Sequence, residues 1–539
     1  VNKEWLTARD FRLLAKGAAR RLEQSKEMVN ALNVFPVPDG DTGINMALTI
    51  GAAVKEMDKN QAEALGEVAE AFAFGSLMGA RGNSGVILSQ IFRGLSLGLA
   101  GKDQVGPVEL SKAIELAART AYQAVMKPTE GTILTVAREG ARHCVQAATA
   151  GADVLEVLEA WLKGARESLA RTPELLSVLK DAGVVDAGGQ GLVLIIEGGI
   201  LALKGELPAD EEQPAQAADF AARVVDDGPI NFTYCTELIL MGNGDFSLDE
   251  LRAELSELGD SLLVVGTPEL TKVHVHSDHP GQVLEACLRR GSLKEIHIDN
   301  MREQHKDFPS KEEAALEEVP QQKLAAVSVA TGDGLSSIFK SLGVSAVIEG
   351  GQSMNPSTED LVAAIQQAPA SKVIVLPNNK NVILTAQQAA ELTDKEVAVV
   401  PTKTIPQGLA AMLAFNQKES LEENVSKMEA ALRGVQTGEV TYAVRNSRIN
   451  GLEIDENDIL GLADGEIKVV GKARTAVTLD LITAMASEDA GLITLYWGQD
   501  VEQGEVDELV NQLEKQYPDY DIEIHYGGQP LYYYIISVE

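Results

Sequence analysis

The chain has 539 residues, 45% hydrophobic and 23% charged, an ordinary globular composition at a length that suits three or four domains. Eighty acidic residues against 46 basic ones give a formal net charge of −34, which argues against binding a nucleic-acid backbone or an anionic membrane surface. Three widely spaced cysteines (Cys144, Cys235, Cys287) form no disulfide framework, no signal-peptide pattern opens the chain, and the apolar run 191–203 contains Glu197 and is too short for a bilayer. A cytoplasmic protein with no integral membrane segment is expected.

Residues 1–204 carry apolar side chains at helical spacing, as in Phe11, Leu14, Ala18 and Leu22, or Leu110, Ile114, Ala117 and Ala121. No stretch reads as a strand, so an all-helical domain is expected. Four glycine-polar loops punctuate it. The first, NVFPVPDGDTGINM (33–46), sets Asp39 and Asp41 two residues apart in a turn too rich in Pro and Gly to be helical. Two such carboxylates suit a hard cation, and glycines at a helix start let backbone N–H groups face phosphate oxygens. A solvated Asp-Gly turn is the plainer alternative. The second, GARGNSGVILS (79–89), again opens a helix, with Arg81, Asn83 and Ser84 as donors. KPTEGTILT (127–135) and VDAGGQG (185–191) follow, and four such loops exceed what helix connections require.

These segments (PVPDGDTGINM, MGARGNSGVILSQ, KPTEGTILTV and GVVDAGGQGL) resemble the ATP-binding, DhaL-type domain of the dihydroxyacetone kinase superfamily. Together with the domains beyond residue 204, the whole chain resembles the ATP-binding subunit of bacterial fatty-acid kinases. The resemblance implies a barrel of roughly eight antiparallel helices with ATP at one end. It makes Asp39 and Asp41 Mg²⁺ ligands. Thr42, Gly43 and Asn45, with Asn83 and Ser84, would line the phosphates; Gly131, Thr132, Asp186 and Gly188 would surround the nucleotide, and Met46 and Gly82 count among the nucleotide-binding residues. Arg81 and Arg171 are candidates for neutralising developing charge. The superfamily places a third acidic ligand upstream, in an Asp-x₄-Asp-x-Asp arrangement; here the nearest polar residue is Asn33, with Pro36 and Pro38 between.

An acidic, Pro-containing linker (205–228) gives way to a strand and helix order of βαββαβ, the signature of a small α/β, ferredoxin-like domain over 228–305. Its first and third strands are then central neighbours, carrying Cys235 and the pair His274 and His276, two apart and so on one side of the sheet. A thiol and two imidazoles from adjacent strands are a Zn²⁺ set; hydrogen-bonded histidines and a buried apolar cysteine are the structural alternative. Fatty-acid kinase subunits carry a similar Cys and His-x-His, and the resemblance implies that these residues matter for activity without fixing their role.

After a second charged linker (306–322), strands and helices alternate over 323–539, which predicts a parallel, doubly wound sheet followed by another α/β half. The loops TGDG (331–334), GGQSMNPST (350–358), PNNKN (377–381) and PTKTIPQG (401–408) leave the carboxyl ends of strands, where such sheets form crevices. GGQSMNPST is similar to loops of DegV-type fatty-acid-binding proteins, and the resemblance implies such a protein, carrying the acyl chain, as partner, and a homodimer as the assembly. The terminal LYYYIIS reads as a buried or edge strand.

Neither a Walker A loop nor a protein-kinase HRD or DFG set is present. The expected reaction is phosphorylation of a fatty-acid carboxylate to an acyl phosphate. Such an acceptor has a pKa of about 4 to 5, so it is already ionised and needs no general base. A dihydroxyacetone-type kinase and a non-catalytic nucleotide-responsive scaffold are the alternatives. The first needs a substrate domain with a covalently binding histidine, of which the sequence gives no sign, and the second would not keep Asp39 and Asp41.

Overall fold

The computed structural model describes all residues except 1–2, 34–39, 126, 207–233, 243–245, 247, 257, 268–269, 301–321, 352–354, 444–446, 450–451 and 487–489. Its contacts divide the chain into two compact units. One joins Val1–Ala209 to Gln321–Glu539; the other is Asp210–Pro320.

In the first unit, the N-terminal region is helical. Its long helices are α1 (Ala8–Glu23), α3 (Thr42–Lys59), α4 (Leu65–Met78), α5 (Gly82–Leu99), α6 (Pro107–Ala124), α7 (Ile133–Thr149), α8 (Val154–Ala170) and α11 (Ala187–Lys204). Short helices α2 (Lys26–Leu32), α9 (Thr172–Leu175) and α10 (Ser177–Ala182) fill the connections. Capping boxes start α1 (Thr7 with Asp10) and α8 (Asp153 with Glu156) and satisfy N–H groups that the helix itself leaves unpaired. One expectation is corrected: β1 (Leu6–Thr7) pairs antiparallel with β2 (Gln104–Val105). A two-residue ladder is too short to show any alternation in the sequence.

The helices enclose one core that includes Leu22, Val29, Ile50, Met57, Leu65, Leu88 and Leu192. Helix α11 has the length and composition of a membrane span, yet 67% of it is buried inside the protein. A largely apolar helix is covered in this way when neighbouring helices pack around most of its faces. Consecutive long helices joined by short turns alternate in direction, so α3, α5, α7 and α11 begin at the same end of the barrel.

The second unit contains β3 (Tyr234–Gly242), α12 (Leu248–Ser256), β4 (Gly259–Thr267), β5 (Leu270–Ser277), α13 (Pro280–Leu288) and β6 (Gly291–Asn300). The sheet order is β4-β5-β3-β6 with every pairing antiparallel, the expected split βαβ arrangement. Leu238, Leu240, Val273 and Val275 pack on Leu251, Leu255, Val283 and Ala286 of the two helices.

The C-terminal region holds a parallel sheet ordered β10-β9-β7-β8, from β7 (Gln322–Ala330), β8 (Ala346–Glu349), β9 (Ala370–Leu376) and β10 (Glu396–Val399). A mixed six-stranded sheet follows, in which the last strand, Tyr534–Val538, lies between Gln436–Tyr442 and Leu492–Trp497. Tyr534 is therefore fully buried, and the tyrosine-rich end of the chain is a central strand rather than an edge.

Candidate nucleotide and metal site

The starts of α3, α5, α7 and α11 meet through their glycines. A Cβ on Gly82 would lie 2.7 Å from Asn45 Nδ2, joining the first turns of α5 and α3. One on Gly188 would lie 3.3 Å from Ile133 Cβ, joining α11 to α7, and one on Gly191 would strike Met46 Sδ at 2.6 Å, joining α11 to α3. A helix start carries about half a positive charge and leaves backbone N–H groups without a partner inside the helix. Four of them at one barrel end make a site for a polyanion.

Asp41 is the N-cap of α3, but its side chain makes no cap hydrogen bond. That task falls to Asn30 of α2, whose Oδ1 accepts from Gly43 N at 2.8 Å and Ile44 N at 3.2 Å. Gly43 is needed there because a Cβ would sit 2.2 Å from the Lys26 carbonyl oxygen. Released from capping, the Asp41 carboxyl is 6% exposed and accepts from Asn45 and from Asn355 Nδ2, the latter at 2.6 Å. Burial pushes its pKa up from the ordinary carboxylate value, and the two amides pull it back.

The second loop starts α5 with Arg81 in the extended N-cap position and Gly82 at φ +56°, a backbone conformation that suits glycine. Arg81 Nη1 donates to the Asn355 carbonyl at 2.9 Å, and Asn83 Nδ2 to Asn381 Oδ1 at 3.2 Å. Asn83 Oδ1 and Asn355 Oδ1 are buried without a partner.

In the third loop Gly131, at φ +83°, donates its N–H to Thr135 Oγ1 at 2.9 Å, and Thr132 Oγ1 donates to the Thr129 carbonyl. Glu130 beside them is gripped by both Arg138 nitrogens (2.7 and 2.8 Å), which with Thr135 and Tyr122 hold its pKa at about 2. In the fourth, Asp186 caps α11 through Gly189 N at 2.7 Å and also accepts from Ile133 N of α7. Burial pushes that carboxyl up to about 6, against the pull of the two N–H donors.

Most of the sequence-predicted residues gather here. Asp41, Thr42, Gly43, Asn45, Gly82, Asn83, Ser84, Gly131, Thr132, Asp186 and Gly188 all lie at or beside these four helix starts, and Arg81 with them. Arg171 follows α8 and precedes Thr172, whose Oγ1 accepts from Asp186 N at 3.1 Å; its side chain is exposed and 3.9 Å from Glu174. Met46 stands apart from this polar group, fully buried in the apolar core. Asn33 ends α2, and Asp39 lies outside the described residues. Asn30 and Asn355 are not evident from the sequence. A polar residue in α2 and one in a loop more than three hundred positions away give no local sign that they meet α3.

The donor set fits a hard divalent cation: Asp41 offers a buried carboxylate that caps no helix, and the Oδ1 of Asn355, whose Nδ2 holds that carboxylate, lacks a partner. In the second unit, the ladder pairs Cys235 with His276 and Glu237 with His274 on adjacent strands. The alternate positions Leu238, Val273 and Val275 are buried against the helices, which leaves Cys235, His274 and His276 at positions on the other face of the sheet. Among the described residues no three His, Cys, Asp or Glu side chains gather, and the side chains of Cys235, His274 and His276 lie outside that description. Cys144 and Cys287 are buried thiols whose pKa values burial raises, Cys287 to about 11.

Comparison with known proteins agrees with this architecture. A DAK2 domain model matches residues 36–200, so the helical region is a domain of a kinase family. Models for the middle and C-terminal domains of FakA-like fatty acid kinase proteins match 231–308 and 325–539. Proteins of Staphylococcus aureus strains USA300 and N315, described as uncharacterized, are each 41% identical over 531 residues, 97% of both chains. The chain belongs to the FakA-like family of fatty acid kinase proteins.

Similar solved structures include a DegV family protein from Corynebacterium glutamicum (16% identity, 40% of this chain and 96% of that one, TM-score 0.32). The Streptococcus pneumoniae fatty acid kinase B3 protein loaded with linoleic acid (11%, 40% and 99%, TM-score 0.28) is another. A third is dihydroxyacetone kinase from C. freundii in complex with AMP-PNP and Mg²⁺ (13%, 41% and 49%, TM-score 0.31).

Proposed function

We propose that this chain is the ATP-dependent catalytic subunit of a fatty-acid kinase. It transfers the γ-phosphoryl group of Mg²⁺-ATP to a fatty-acid carboxylate presented by a separate DegV-type binding protein. The observation that carries the reading is the meeting of four glycine-bearing helix starts, one of which, α3, begins at the buried Asp41 carboxyl. Asp41 and Asp39 would hold Mg²⁺, with Asn33 the candidate for a third ligand. The first-turn N–H groups that Asn30 and Asp186 leave free, above all those of α5, with Thr42, Asn45, Asn83 and Ser84, would cradle the phosphates, and Arg81 and Arg171 would offset charge as it develops. Phosphoryl transfer asks for this kind of positioning and neutralisation rather than covalent chemistry. An acceptor carboxylate oxygen attacks the γ-phosphorus, the bond to the β,γ-bridging oxygen breaks, and ADP and the acyl phosphate leave.

Cys235, His274 and His276 are assigned to the acceptor end of the reaction: they would hold Zn²⁺, which would supply a Lewis acid there, or would orient the acyl carboxylate by hydrogen bonds. Their adjacency in the ladder supports the assignment. The test measures acyl phosphate formed from Mg²⁺-ATP and an acyl-loaded DegV-type protein. Wild type should form it, and Asp41→Ala and His276→Ala should each lower the rate at least about 100-fold if they serve the nucleotide metal and the acceptor. Full activity of His276→Ala would reduce the middle domain to a spacer. Phosphorylation of a small ketone or polyol in place of the acyl group would overturn the reading.

A further inference from the structure

One of the two amides that hold Asp41 comes from the C-terminal region. Asn355, 1% exposed, donates Nδ2 to Asp41 Oδ2 at 2.6 Å across 314 positions of sequence. The same stretch is fastened on both sides: Arg81 Nη1 donates to the Asn355 carbonyl at 2.9 Å, and Thr358 N to the Ala80 carbonyl at 3.1 Å. Asn83 meets Asn381 of the next loop at 3.2 Å. Within this interface one amide oxygen from each side, Asn83 Oδ1 and Asn355 Oδ1, is buried with no donor to accept. A buried acceptor without a donor is costly, and a cation or its bound water at Asp41 would supply what Asn355 Oδ1, on the amide that holds Asp41, lacks.

We propose that Asn355 is a positioning residue of the metal site. By holding Oδ2 of Asp41 it turns the remaining lone pairs of the carboxylate toward the cation, so that metal affinity depends on the C-terminal region being docked. This rests on the assignment of Asp41 as an Mg²⁺ ligand. Carboxylate ligands are commonly oriented by such hydrogen bonds, and losing the partner costs about 10- to 100-fold in metal affinity.

The experiment titrates the full chain with a fluorescent ATP analogue over a series of Mg²⁺ concentrations. Asn355→Ala should raise the Mg²⁺ needed for half-maximal nucleotide binding by about 10- to 100-fold, leaving metal-free binding unchanged. Thr358→Val removes a hydroxyl bond to the Ala80 carbonyl at the same interface without touching Asp41, and should keep the wild-type Mg²⁺ dependence. Equal shifts for Asn355→Ala and Thr358→Val would mean that Asn355 merely docks the region, and would overturn the proposal. A shift in Asp41→Ala with none in Asn355→Ala would overturn it while sparing the assignment of Asp41. A wild-type Mg²⁺ dependence in Asp41→Ala would remove both.

Discussion

Gly82→Ala tests whether the four helix starts meet as closely as the fold places them. Two costs apply. The backbone at φ +56° is strained for any residue with a Cβ, by about 1–2 kcal/mol. The new methyl would also lie 2.7 Å from Asn45 Nδ2 and 3.2 Å from Asn355 Nδ2, displacing the two amides that hold Asp41. Losing one hydrogen bond to a charged group costs a further 1.5–3 kcal/mol or so, for a total of about 3–5 kcal/mol. Gly101→Ala supplies the control: its φ is +70°, yet nothing lies within 4 Å of the added Cβ. It carries the backbone cost alone, about 1–2 kcal/mol. The assay is urea unfolding of the full chain followed by helical signal, comparing midpoints at equal slope. Mg²⁺-nucleotide affinity is read in parallel and should fall in Gly82→Ala only. Equal midpoints and unchanged affinity in the two variants would refute the close approach of Asn45 and Asn355 to Gly82.

Asn30→Ala should destabilise the helical region by about 0.5–2 kcal/mol, because it removes the acceptor that caps α3 and strands the Gly43 and Ile44 N–H groups. Thermal melts against Asn30→Asp, which keeps an acceptor, would show the difference; equal melts would mean that the cap contributes nothing. Asp186 predicts a pH dependence of definite sign. Its carboxyl keeps a proton up to about pH 6 in the folded chain but loses it near pH 4 when unfolded, so the native state binds more protons between these values. Its contribution therefore lowers stability as pH rises through that window, by at most about 3 kcal/mol and less because the side chain is partly open to solvent. Subtracting the Asp186→Asn profile should isolate that slope, and a difference profile that is flat or rises with pH would sink it. Glu130 runs the opposite way: held at about 2 by Arg138, it contributes stability above the ordinary carboxylate range that is lost as pH falls toward 2. Half-exposed as it is, Arg138→Met should change stability by less than about 1 kcal/mol at neutral pH, and a larger loss by chemical denaturation would show that the pair is structural.

Much of this protein is decided by short-range pattern. Helical spacing places the long helices of residues 1–204, because an amphipathic period is a local property. The βαββαβ order makes β3 and β5 antiparallel neighbours, while the register that pairs Cys235 with His276 is a finding of the structure. The glycine loops announce that backbone must come close to something. What they approach is a tertiary fact. Met46 sits in the same motif as Asp41 and Asn45, yet helical rotation turns it into the core against Gly191. Only the alternation of direction around the barrel brings four helix starts to one end. Only the docking of the C-terminal region sets Asn355 on Asp41, since neither residue carries any sign of a partner more than three hundred positions away.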